Sequence, residues 1–217
     1  MGFMESAVVV YLRKIYYPEG FSFPLVPIDI LIGKVEFFRE VATIFILLAA
    51  GMMAGRNRVD RFAWFIFSFA IWDLSYYLFL KIILDWPESL LTMDILFLIP
   101  FPWVGPVLAP CIVACTMIIL SYVLLTPAND NSPVKILITD WVLMITGSLI
   151  VIFSFMLDFI RYNNSVTGNM LPWTLSGNQP VFADASQYVP ENFNWLIFIA
   201  GEFLILCAVV RLFLRSK

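Results

Sequence analysis

A chain of 217 residues that is 61% apolar and only 13% charged departs from the about 45–50% and about 25% of a soluble domain. With 21 Phe, 7 Trp and a mean hydropathy of +0.90, it carries more apolar surface than a 24.9 kDa aqueous fold can bury, which excludes an ordinary soluble globule and makes lipid the solvent. The net charge of −3 without a basic run argues against a nucleic-acid partner, and the absence of His removes the usual haem, zinc and copper ligand and the common general base.

The first 34 residues mix Val, Leu, Ile and Tyr with Arg13 and Lys14, and the Pro18-Glu19-Gly20 turn ends the apolar run. This pattern predicts a short helix resting on the membrane surface. Five spanning helices follow, over about 36–55, 61–84, 104–125, 135–160 and 194–214, because each offers about 20 largely apolar residues once the first extends back through Glu40, Arg39 and Phe37. Between the second and third, the prolines at 87, 100, 102, 106 and 110 predict a bend over 99–105, since proline removes hydrogen-bond donors and disfavours helix before it. Residues 162–192 form a polar external loop. The fold expected is therefore all-α, one integral membrane domain over 1–217, a five-helix bundle with an N-terminal interfacial segment. Three Arg in the turn 56–61, and Arg211, Arg215 and Lys217 in the tail, put those ends in the cytoplasm and the N-terminus outside a cell membrane. Compact loops and the lack of a transit peptide suit a bacterial inner membrane.

The charges inside the spans are the informative residues, because an ionisable group in a bilayer must be paired or functional. Asp73 lies twelve residues past Arg61 and Glu202 nine before Arg211, so each sits roughly 14–18 Å from the basic end, near mid-membrane. Raised pKa values are expected for both. Glu36, Arg39 and Glu40 share one face, and Asp73, Tyr77 and Lys81 another, by i, i+3 and i+4 spacing. An outer-leaflet ion cluster of Glu36, Arg39, Glu40 and Lys81 follows, with Lys81 meeting Glu40 or Glu36. Asp140, Asp158 and Arg161 fall near helix ends and read as ordinary interface residues.

Two functions fit these residues. The charges can hold helices together or dock a partner, which makes the chain a non-catalytic subunit or accessory factor of a larger membrane complex. Alternatively, Asp73, Tyr77 and Glu202 form a proton or ion path in a small transporter or channel. A catalytic pair of carboxylates is the weaker third reading, as neither lies in a Gly-x-Gly-Asp context. No catalytic residue, metal site or cofactor is assigned. The three Cys read as packing residues, and the partners expected are lipids and other membrane subunits.

Overall fold

The computed structural model of the chain describes residues 1–99, 102–126, 134–167 and 188–216. Among these residues run six helices and one β-hairpin: α1 (Gly2–Tyr16), α2 (Ile30–Ala54), α3 (Arg58–Leu84), β1 (Met93–Phe97), β2 (Trp103–Pro106), α4 (Leu108–Leu125), α5 (Ile138–Thr167) and α6 (Trp195–Ser216). The five helices from α2 to α6 are long and apolar enough to cross a membrane.

Local chemistry sets the boundaries. Asp29 caps α2, its carboxylate accepting from the backbone N–H of Leu31 and Ile32 at 2.8 and 3.3 Å, so the first span starts six residues before the expected 36. Asn57 caps α3 through the Asp60 N–H at 2.9 Å. Residues 103–106 pair as a strand, and α4 therefore begins at Leu108 rather than 104. At the other end α5 runs on to Thr167, past the expected 160. Most of the external loop, residues 168–187, lies outside the described residues, as does part of the expected bend, residues 100 and 101.

On α1 and α2 the polar side chains turn inward and many large apolar ones face out. The buried residues of α1 are Gly2, Glu5, Ser6 and Arg13, whereas Phe3, Met4, Tyr11 and Ile15 are exposed. On α2, Glu36, Glu40 and Thr43 are buried, while Leu31, Phe38, Phe45 and Met53 face out. A multi-pass membrane protein accounts for this surface, since apolar side chains facing hydrocarbon lose nothing there and polar ones gain by turning inward.

Two expectations are refined. The N-terminal segment is not a separate piece. Helix α1 packs lengthwise on α3, with Ser6 Oγ donating to the Tyr76 carbonyl at 3.1 Å and Phe3 edge-on to Phe79 at 5.3 Å. A Cβ on Gly2 would stand 2.5 Å from the Ser75 Cβ, so only glycine allows this approach. The physical reason is the polar stripe at positions 2, 5, 6 and 13, which turns to protein partners while Phe3, Met4, Tyr11 and Ile15 stay exposed. Nor is the fold wholly helical, because the proline-rich bend contains an antiparallel hairpin with Asp94 opposite Gly105 and Ile95 opposite Val104. Its prolines at 102 and 106 flank or end β2, where a missing N–H is tolerated.

The main apolar core joins α3 to α6 through Ile66, Leu120, Met144, Val151, Phe155 and Phe198, among others. Helices α5 and α6 touch most closely at Gly147 and Gly201, where a Cβ on either would come within 2.7–2.8 Å of the other's carbonyl oxygen. That is the small-residue contact by which apolar helices associate in lipid. A second cluster, Leu47, Trp72 and Phe97, joins α2, α3 and the hairpin.

Candidate functional site: a charged cavity under the hairpin

Helices α1, α2 and α3 and strand β1 enclose a cavity of about 140 Å³. Helix α1 brings Glu5 and Arg13 to it, α2 brings Glu36, Arg39 and Glu40, α3 brings Trp72, Asp73, Tyr76 and Tyr77, and β1 brings Asp94. Five carboxyl groups thus face two guanidinium groups.

Most of these charges are joined across elements. Arg39 bonds Glu36 on its own helix at 2.7–2.8 Å and Glu5 on α1, while Thr43 Oγ1 donates to the second Glu5 oxygen at 3.4 Å. Arg13 pairs with Asp94 at 3.2 Å, and its guanidinium lies 3.7 Å from the Trp86 ring centroid and 4.5 Å from that of Phe21, a cation–π contact with two rings that stand edge-on to each other. Glu40 accepts the Leu98 backbone N–H at 2.9 Å, which docks the hairpin on α2. Tyr77 Oη donates to Asp94 at 3.4 Å. Burial pushes the Asp94 carboxyl up to about 6, even though Arg13, the Ile95 N–H and Tyr77 all pull it down.

Three groups are left over. Asp73 lines the cavity yet makes neither an ion pair nor a hydrogen bond to any described residue. Arg13 Nη1 and Trp72 Nε1 are buried without an acceptor among the described residues. Arg13, Tyr17 and Phe21 also line a second, outer cavity of about 480 Å³ with Lys14, Trp86 and Glu88.

The structure brings five of the expected site residues together, Glu36, Arg39, Glu40, Asp73 and Tyr77, and sets two apart. Lys81 does not join the outer cluster. It pairs with Asp85 at 2.7 Å and donates to the Asp85 and Pro87 carbonyls at 3.2 and 3.1 Å, because a flexible chain in the last turn of α3 reaches the helix end more easily than α2. Neither Glu36 nor Glu40 meets Lys81: Glu36 pairs with Arg39, which Glu5 also joins, and Glu40 accepts the Leu98 N–H. Glu202 does not share a cavity with Asp73 either: its Oε2 accepts from Thr116 Oγ1 on α4 at 2.8 Å, and its Oε1 is buried without a described partner.

Sequence reasoning missed Glu5, Arg13 and Asp94 as site residues, and it misjudged Asp140. That side chain is fully buried and bonds Arg211 at 2.9 Å, Arg215 at 2.7 Å and the Leu137 N–H at 2.9 Å, tying the start of α5 to the end of α6. The signal for α1 was its stripe at 2, 5, 6 and 13; for Asp140 it was a carboxylate opposite two arginines at the same end of the bundle. Comparison with protein families, curated proteins and solved structures gives no match to this chain.

Proposed function

We propose that the chain is a non-catalytic integral membrane protein that works as a subunit or accessory factor of a larger membrane assembly. What supports this is the use of its buried charges: Arg13 with Asp94, Arg39 with Glu5 and Glu36, and Asp140 with Arg211 and Arg215 each tie one element to another. Ionic ties of this kind hold a scaffold in register. Isolation from the native membrane in mild detergent, with the mass and composition of the particle determined, tests it. A stoichiometric larger assembly is the expected result, and a lone monomer or homo-oligomer would overturn the proposal.

A small proton- or ion-coupled carrier or channel is the second reading, favoured by the carboxylate excess around Asp73. Glu202, bonded to Thr116, does not line that cavity, so the path expected through Asp73 and Glu202 lacks one of its two groups there. Flux in liposomes that depends on pH and is lost in Asp73→Asn would establish it.

The orientation proposed has the turn at 55–61 and the C-terminus in the cytoplasm of a bacterial inner membrane, with the cavity mouth and N-terminal segment outside. Its support is the basic excess at the first end. A cysteine placed at Glu19 should react with an impermeant thiol reagent on intact cells, and one at Arg58 only after permeabilisation; the reverse pattern would refute it.

A further inference from the structure

A cavity of about 140 Å³ is close to the ~150 Å³ that holds benzene, so it fits a ligand of about six heavy atoms. Its wall sets the chemistry. Both guanidinium groups are engaged by carboxylates, while Asp73 has no partner among the described residues and stands beside Trp72, Tyr76 and Tyr77 in the lining. A carboxylate among aromatic faces is the combination that receives an organic ammonium, through charge and cation–π attraction together.

A second observation narrows this further. Arg13 and Trp72 are each 7% exposed and line the cavity, and each has a buried N–H without an acceptor, Nη1 and Nε1. Unanswered buried donors are rare in folded proteins and call for acceptor atoms. A bare inorganic cation would satisfy Asp73 and leave both donors unanswered. Arg13, Tyr17 and Phe21 line both this cavity and the larger neighbouring one of about 480 Å³.

We propose that the cavity binds a small organic ammonium that also carries an oxygen acceptor, with Asp73 holding the ammonium and Arg13 and Trp72 donating to the oxygen. An amino alcohol and an aminophospholipid headgroup share that chemistry. The site stands whether the chain acts alone or within an assembly.

The test uses the full chain in nanodiscs of phosphatidylglycerol alone, titrated with ethanolamine and with choline, and followed by calorimetry and tryptophan fluorescence. Saturable binding of at least one amine is expected, with ethylene glycol, which lacks the ammonium, failing to bind. Asp73→Asn should weaken binding roughly ten- to hundred-fold, and Trp72→Phe, which removes one donor, several-fold. Should Asp73→Asn not fold, Trp72→Phe decides the matter. Repeating the titration with phosphatidylethanolamine in the disc separates the sources: competition identifies a lipid headgroup and unchanged affinity a soluble amine, and either supports the site. Absence of saturable amine binding, equal affinity in the variants, or ethylene glycol binding as well as ethanolamine would overturn it.

Discussion

The two sides of the bundle solve the same problem with different chemistry. Along most of their length α5 and α6 meet through Gly147, Gly201, Val151 and Ile205 at backbone distance, with the ionic tie of Asp140 to Arg211 and Arg215 confined to one end, whereas α1, α2 and α3 meet through Arg39, Glu5, Glu36, Thr43 and Asp94 around a cavity. Apolar helices in lipid have no water to escape, so they associate through close packing or through polar groups that hydrocarbon cannot satisfy. Close packing needs only small residues. The charged side holds several ionisable groups whose burial is costly unless answered, and they surround the cavity. Expense without a packing advantage is the reason to look for function there and not between α5 and α6.

The sharpest way to break the comparison is to remove the centre of the charged side. Arg39→Met leaves Glu5 and Glu36 buried, both about nine-tenths inaccessible, and should destabilise the bundle by about 3–5 kcal/mol. Unfolding in a denaturing detergent would measure it. A second change, Glu36→Gln, should restore part of the loss; no recovery would mean that Arg39 acts through packing instead.

Acidity gives the next effect. The Asp94 carboxyl stands at about 6 in the fold against about 3.9 in an open chain, so the folded state binds its proton more tightly. Its contribution to stability is full below about pH 4 and is lost as pH rises through 6, a change of about 3 kcal/mol. Near pH 5 the Arg13–Asp94 pair is mostly uncharged on the carboxyl side, and above pH 7 it is intact. Asp94→Asn should flatten this pH dependence in thermal unfolding; an unchanged slope would assign it to another group.

On the packed side, Gly201→Val places a methyl-bearing carbon within 2.8 Å of the Gly147 carbonyl, and backbone cannot yield as a side chain can. A loss of about 1–3 kcal/mol is expected, without effect on amine binding at the cavity. If binding changed together with stability, the two sides would be coupled and the contrast between them would fail.

The spans were legible because hydropathy over about 20 residues is a local property of the sequence. Glu36, Arg39 and Glu40 were legible as one face because helical spacing is local too. What escaped depended on partners far along the chain. Nothing in positions 2, 5, 6 and 13 announces that their stripe lies against Tyr76 and Asp94, and Asp140 looked like an interface residue until α6 brought Arg211 and Arg215 to it. The hairpin was hidden for another reason: Met93–Phe97 lacks a clean apolar and polar alternation, the signal by which strands are read.

Lys81 is the smallest and most discriminating case. Its spacing from Asp73 and Tyr77 put it on the cavity face, and as a partner of Glu40 its loss would have exposed a buried charge. In the structure its side chain is half exposed and Asp85 is almost wholly so, an arrangement in which solvent and salt screen the pair. Lys81→Met should therefore leave the unfolding midpoint within experimental scatter, and adding Glu40→Gln should rescue nothing. Glu40→Gln alone would retain an oxygen for the Leu98 N–H and so test only the charge. A clear destabilisation by Lys81→Met, reversed by Glu40→Gln, would put the lysine back into the cluster and give the cavity a third cation, which would weaken the case for an ammonium ligand at Asp73.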